Sequence, residues 1–600
     1  MDDKRTPKRS EIAERHKWNL ENFYKSDEQW SEAFEAIKAK TADFAEYKGK
    51  LGQDASRLYS LLKLYDLLIP DAYKLANYAM RRSDEDTSNS FYQDMKGKVI
   101  AFFTEFGAQT SFIVPEITAI SDETIERFYK EEPGLELYRR KLYMIRRTRE
   151  HILSEAEERI IAMTGEMQNV PDSVYTIFHS ADLKFPDVKD SKGESHPLTQ
   201  SSYIPLMESP DRTLRKNAFN TFYGVFGDYK NTSAALLDGQ MKSLMFNARL
   251  RKYPDARTAS LDSNEVPVSV YDSLIEAVHQ NFDKIYAYMA LRKKLMGVDE
   301  LHMYDVYAPI VSEFDEKISY EEAKETILKA LKPLGEDYLE ILKHGFESRW
   351  VDVYENEGKV SGAYSAGSLP HPLVLMNYKD TLDSMFTLAH EMGHALHSYL
   401  SAKHQPVSYM SYVIFNAEVA STTNECLLMS YLLENTSDPR RKAYLINYFL
   451  EQFRTTVYRQ TMFAEFEQQF AEAAEKGATL TADLLIDMYY KLNQLYYGDG
   501  VVIDEPIGLE WSRIPHFFMN FYVFQYATAF SAAVAISRKI KEEGEPAVKA
   551  YLEFLSSGCI DDPITLLKRA GVDMTTNEPV ASALSYFGEL IETMERLMND

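Results

Sequence analysis

The chain has 600 residues, 45% hydrophobic and 26% charged, and 67 Lys+Arg against 92 Asp+Glu give it a net charge of −25. So acidic a balance offers no basic footprint for phosphate, which excludes nucleic acid as a partner and disfavours anionic membrane surfaces. Two cysteines, Cys426 and Cys559, exclude a disulfide framework and favour a reducing compartment, and 25 Gly with 22 Pro are too few for an all-β chain or long disordered tracts.

Met1 to Arg5 lacks the apolar core of a signal peptide. The longest apolar candidate, Ala527 to Ser537, covers about eleven residues and is too short to cross a bilayer. A soluble, cytoplasmic protein is expected. One excess stands out: 40 Tyr and 32 Phe against 4 Trp.

In chain order, the first 180 residues read as helix after helix. Trp30, Phe34 and Ile37 form an i, i+4, i+7 stripe, and similar stripes recur from about 56 to 168. The character changes between Ala181 and Asp211. Leu183–Phe185 reads as a short strand, and Lys189–Gly193 reads as a turn. The expected organisation is an N-terminal helical lobe over 1–180, a hairpin or linker over 181–209, and a catalytic domain over 210–600. Ser209-Pro210-Asp211 opens a second helical run with an N-cap and a Pro at the first position. Ser269 and Asp272 resemble a capping box for a long helix reaching about Gly297. Val360 to Tyr378 is Gly/Ser-rich with short apolar alternation and reads as one or two strands. Helices resume at Thr381.

His390-Glu391-Met392-Gly393-His394 is an HExxH motif inside a helical pattern from Thr381 to Ala402, with Asp380 or Thr381 able to cap it. Residues i and i+4 stack on one helical face, so both imidazoles can reach one tetrahedral zinc. Glu391, about 100° round, can act on a water without ligating the metal. A catalytic zinc needs a third ligand and an open fourth position. The next helix offers Glu418 and Glu425, close to two turns apart in an almost uncharged stretch, Val407 to Leu433. One can ligate the metal while the other orients a ligand histidine. His397 shares the face of His390, but a fourth ligand would close the site, so it reads as supporting or structural. Asp383, also on that face, can accept the N–H of a ligand histidine. Downstream, Tyr522 and Tyr526 fall at i, i+4 on one helical face with His516 just before it. Tyr O–H and His N–H can stabilise an oxyanion, although the cluster alone reads as core packing.

These residues carry a resemblance. Ser361-Gly-Ala-Tyr364-Ser-Ala-Gly-Ser368, Leu375-Met-Asn377, the HExxH motif extended to His397, Glu418 to Glu425, His516 to Tyr526 and Trp18 to Tyr24 resemble oligoendopeptidase F. That family is among the thimet-oligopeptidase-like zinc metallopeptidases, and the likeness runs from about residue 15 to 590. It implies a mainly α, prolate, two-lobed molecule with a small β-sheet near the active site and a deep central substrate channel. It implies one Zn2+ per chain on His390, His394 and Glu418, with Glu391 as general base toward a metal-activated water and Glu425 in a supporting role. His516 and Tyr522 match positions that stabilise the transition state or grip substrate, with Tyr526 as a further candidate. Gly362, Ala363, Tyr364 and Ser365 match a strand that lies along the substrate. The implied activity is hydrolysis of internal bonds in short unstructured oligopeptides, by a monomer or small homo-oligomer.

Two other readings are separable. A helical zinc exopeptidase, of dipeptidyl carboxypeptidase or carboxypeptidase type, shares HExxH and the downstream Glu. It needs a cation to pin the substrate carboxylate, and only Lys403 lies between His390 and Glu425. A non-catalytic scaffold with a structural metal is opposed by the intact Glu391.

Overall fold

The computed structural model describes residues 5–311, 314, 316–367 and 369–599. Ser368, which closes the Gly/Ser-rich segment read as strand, lies outside the described residues, as do residues 1–4 of the N-terminal stretch. Within them the chain is mainly α, with a two-stranded and a three-stranded sheet. None of the described helices is long and apolar enough to cross a membrane.

Two compact units divide the chain. The first gathers Met1–Glu150, Glu316–Tyr431 and Ile536–Gly571; the second gathers His151–Asp315, Leu432–Ala535 and Val572–Asp600. Contacts therefore cut the chain differently from the sequential division at 180 and 210.

The first unit is built on amphipathic helices. Ser26 caps Asp27–Lys40, which buries Trp30, Phe34 and Ile37, the stripe expected from the sequence. The helix Ala55–Glu85 buries Leu58, Leu61, Leu62, Leu68 and Leu75. Leu373 and Leu375, from a β-strand, join the same core as these N-terminal side chains. That strand, Leu373–Leu375, is the centre of the three-stranded sheet. It pairs parallel with Val351–Asp352, placing Val351 opposite Val374, and antiparallel with Tyr364–Ala366, placing Ser365 opposite Val374. The Val360–Tyr378 segment, expected to hold one or two strands, thus holds two. Tyr364–Ala366 is the edge strand, pinned where the Tyr364 hydroxyl donates to Asp84 Oδ2 at 2.6 Å and the Arg81 guanidinium lies 4.9 Å from its ring centre.

In the strand Val351–Asp352, fully buried Asp352 bonds Arg9 and sits 2.7 Å from Lys359 Nζ. Burial alone would raise its carboxyl; the two cations outweigh that and hold it below the usual range. Removing both cations would leave an uncompensated buried charge, at a cost of about 3–5 kcal/mol.

The second unit corrects several local readings. Leu183–Phe185 is not a strand; pairing begins after Pro186, which has no N–H to donate, and joins Val188–Lys189 to Ser195–His196 around Gly193 at φ 82°. Asp211, not Ser209, caps the next helix, because its carboxylate accepts from the amides of Thr213 and Leu214. The expected helix from Ser269 is two, Val268–His279 and Phe282–Met296; Pro267 starts the first and left-handed Gly297 closes the second. Buried Glu510 accepts from Arg459 and Tyr489, each at 2.6 Å, and from Arg513 at 3.0 Å. This anchors the segment that leads to His516.

Candidate metal centre

The motif helix runs Leu382–His404, capped by the Thr381 hydroxyl, which accepts from the Ser384 amide. His390 and His394 stack one turn apart with ring centroids 4.8 Å from each other. The following helix, Ile414–Glu434, brings Glu418 to the same point. Its Oε2 lies 3.3 Å from His390 Nε2 and 3.5 Å from His394 Nε2. Two atoms each about 2.0–2.1 Å from one tetrahedral centre stand about 3.3–3.4 Å apart. The two imidazoles and one carboxylate therefore have both the chemistry and the spacing to hold a zinc-sized ion.

Glu425 does not join that group. Its Oε1 lies 2.6 Å from His390 Nδ1. An ionised carboxylate only accepts, so Nδ1 carries the hydrogen that faces Glu425 and Nε2 is left as the nitrogen turned to Glu418 and able to ligate a metal. Of the two glutamates left open by spacing, geometry separates one that faces both Nε2 atoms from one that faces a single Nδ1. Burial would lower the His390 pKa, but its bonds to Glu418 and Glu425 win and raise it well above the ordinary value. Glu418 shows the mirror image: burial raises it, and His390 and His394 pull it far below the carboxylate range. The pocket favours positive charge between these three groups, the charge that a divalent cation supplies.

Glu391 lies outside the converging group. It is 7% exposed, and its Oε2 is buried with no hydrogen-bond partner among the described residues. Burial raises its pKa, His390 and His394 oppose that, and Glu418 and Glu425 reinforce it. Such an oxygen is available to take a proton from a guest molecule.

Three residues that the sequence did not single out hold the two helices in register. At Gly393, a Cβ would sit 2.6 Å from Ser421 Cα and 2.9 Å from Ala420 O, so the helices touch backbone to backbone. Asn424, fully buried, donates to Ala389 O at 3.1 Å and accepts from the Tyr338 hydroxyl at 3.0 Å. Ser421 Oγ donates to Glu418 Oε2 at 3.1 Å. The available signal was the run of small and polar residues beside Glu418 in an uncharged, core-like stretch.

Asp383 loses its supporting assignment, and His397 takes the structural side of its reading. Asp383, expected to accept the N–H of a ligand histidine, is exposed in the first turn of the motif helix, and His390 Nδ1 bonds Glu425. A shared face was not enough, because two turns separate the residues by about 10 Å along the axis. His397 is a core residue, stacked on Tyr412 with centroids 3.7 Å apart and against Phe554 at 5.6 Å. Its Nδ1 has no hydrogen-bond partner among the described residues, and burial pushes its pKa down to about 3.

Gly362, Ala363, Tyr364 and Ser365 lie at or just before the edge strand of the small sheet, which packs against the motif helix. Gly362 takes φ 81°, which suits glycine at the strand's entry.

His516, Tyr522 and Tyr526 belong to the second unit and form one half-buried cluster. Tyr526 Oη lies 3.3 Å from His516 Nε2, and the two tyrosine rings meet edge-on at 5.3 Å. Burial, with Arg459 nearby, pushes the His516 pKa down. Tyr522 is not on a helical face, because the helix starts only at Phe524 and the chain reverses at Asn520 and Phe521 with φ of 55° and 61°.

A second ligand-type group, Asp190, Glu194 and His196, caps the hairpin turn. Asp190 Oδ1 accepts from the amides of Lys192 and Glu194 at 2.9 and 2.8 Å, and Oδ2 lies 3.2 Å from His196.

Residues 205–586 match the family model described as Peptidase family M3, and residues 116–185 match the one described as Oligopeptidase F. Oligopeptidase PepF of Bacillus subtilis (strain 168) is 46% identical over 593 residues, covering 99% of this chain and 88% of that protein. The crystal structure of oligoendopeptidase-F from Enterococcus faecium is 37% identical with a TM-score of 0.74, covering 96% of this chain and 99% of that one. A solved structure from Chlamydophila abortus is 34% identical with a TM-score of 0.93, covering 99% and 100%.

Proposed function

The chain belongs to peptidase family M3 and is a metalloendopeptidase, and on that premise we propose that it hydrolyses internal bonds of short, unstructured oligopeptides with zinc as its metal. The observation that carries the reading is the convergence of His390 Nε2, His394 Nε2 and Glu418 Oε2 beside the unpartnered buried oxygen of Glu391. His390, His394 and Glu418 would hold one zinc per chain, and Glu425 would fix the tautomer and tilt of His390. Bound there, zinc supplies a Lewis acid that acidifies water and polarises a carbonyl.

The chain's own residues do the rest. Glu391 removes a proton from the attacking water and delivers it to the departing amine. His516 and Tyr522 donate hydrogen bonds to the developing oxyanion or grip the substrate, and Tyr526 orients His516 through their 3.3 Å contact. The edge strand from Gly362 to Ser365 offers its backbone along an extended peptide, as a sheet edge can. His397 serves the core instead.

The endopeptidase reading fits the named relatives better than the exopeptidase one. The chain-order division into 1–180, 181–209 and 210–600 is kept as a proposal about family segments, distinct from the two compact units. A cytoplasmic location, and a monomer or small homo-oligomer, complete the proposal.

The test is a peptide blocked at both ends, assayed beside metal analysis of the same sample. Internal cleavage, abolished by a chelator and restored by zinc, is expected. Cleavage only of peptides with a free terminus, or undiminished cleavage by the metal-stripped protein, overturns the reading.

A further inference from the structure

We infer that Glu467 is a positioning residue, holding the loop that carries His516 and Tyr522 by accepting the amide of Phe521. The inference rests on the reading of those two side chains given above.

The loop reverses at two successive left-handed residues, Asn520 at φ 55° and Phe521 at φ 61°, and neither is glycine. Sterics disfavour that region for a bulky side chain, and such backbone persists only where its surroundings over-determine it. Here the hold is explicit. The Phe521 N–H donates to Glu467 Oε1 at 2.6 Å. The buried Phe521 ring meets Tyr271 edge-on at 6.0 Å. Gln240 Nε2 donates to Phe518 O at 3.2 Å and to Asn520 Oδ1 at 3.0 Å. Tyr522 follows at once, and its carbonyl accepts from the Gln525 amide at 3.2 Å. The peptide of Phe521 therefore sets the direction in which Tyr522 leaves the turn and the helix Phe524–Glu543 begins.

Glu467 is an unusual residue to find there. It stands on the helix Arg459–Glu475, is 2% exposed, and its Oε2 is buried with no hydrogen-bond partner among the described residues. Among the described residues it makes no ion pair. A buried acid without a cation is costly unless a local bond needs it. Burial pushes its pKa up to about 8, and in either protonation state the group presents an acceptor oxygen to the Phe521 amide. A glutamine amide would present the same acceptor.

A double-mutant cycle tests this. We would measure kcat, KM and thermal midpoint on an internally quenched peptide for the wild type, Glu467→Met, Tyr522→Phe, the pair, and Glu467→Gln. Tyr522→Phe should lower kcat by about tenfold or more. Glu467→Met should lower it comparably with KM within about threefold, and the pair should be no worse than the worse single variant. Glu467→Gln should stay within about threefold of wild-type kcat. A folded Glu467→Met with wild-type kcat, or a loss that multiplies with that of Tyr522→Phe, overturns the positioning role and leaves the reading of Tyr522 standing. An unchanged kcat in Tyr522→Phe overturns that reading and the inference with it. Should Glu467→Met not fold, Glu467→Asp, which withdraws the acceptor by one methylene, meets the same outcomes.

Discussion

Gly393 and Ser421 bring two helices into backbone contact: a Cβ at 393 would lie 2.6 Å from Ser421 Cα. The metal site depends on this approach, because His390 and His394 come from one helix and Glu418 from the other. Gly393→Ala should force the helices apart or bend one of them, at a cost of about 1–3 kcal/mol. The separations of 3.3 and 3.5 Å between Glu418 and the histidines would widen with it. Expected outcomes are a lowered thermal midpoint and zinc affinity reduced about tenfold or more, read by competition with a chromogenic chelator. Wild-type affinity in a folded Gly393→Ala protein would show that the contact does not set the site.

Glu391→Gln should separate binding from chemistry. Glu391 is outside the group of three converging donors, so metal content should match the wild type. The variant loses a carboxylate able to accept a proton, and turnover should fall by about 10²–10⁴-fold. Metal analysis and a quenched-peptide assay on the same sample check both halves. Undiminished turnover would sink the general-base role.

Glu425→Ala removes the acceptor 2.6 Å from His390 Nδ1 without touching a proposed ligand. His390 would then be free to change tautomer and tilt. Metal affinity should fall about 10–100-fold. Glu425→Gln, which keeps an acceptor but loses the charge, should fall between the two. An affinity equal to the wild type in Glu425→Ala would remove Glu425 from the site.

His397 gives a pH prediction whose sign can be worked out. Its folded pKa is pushed down to about 3 from an ordinary 6.5, so between those values the unfolded chain binds a proton that the folded chain refuses. Stability is therefore fully present above about pH 6.5 and declines as pH falls toward 3. At pH 4.5 the loss from this residue is about 2–3 kcal/mol. His397→Phe keeps a ring against Tyr412 and removes the titration. Denaturant melts of the metal-free protein at pH 7 and pH 4.5 should show a drop smaller by about that amount. An equal drop in both proteins would contradict it.

The site was legible where its chemistry is local. The histidines, Glu391 and the acidic pair reduce to helical periodicity and the needs of zinc, which sequence spacing carries. Periodicity cannot say which partner a side chain faces, and so Asp383 was placed by its face although it is exposed and Glu425 occupies the nitrogen. Tyr522 was placed on a helix because four residues separate it from Tyr526. Left-handed Asn520 and Phe521 move the helix start beyond it, and no propensity predicts that turn. Gly393 stood in view inside the motif without a role, because close approach is a property of two segments.

The sequence by itself determined the mainly helical class, the HExxH helix with Glu418 and Glu425 on one face of the next, and the family. All of these depend on composition, on spacing within one element, or on an ordered set of motifs. Only the tertiary structure decided which glutamate faces both histidines, that His397 belongs to an aromatic core, and that Glu467 meets the reversed turn before Tyr522. Each of these depends on contact between segments distant along the chain or on a backbone conformation imposed from outside the segment. Helical periodicity fixes where a side chain points from its own axis and leaves open what waits there.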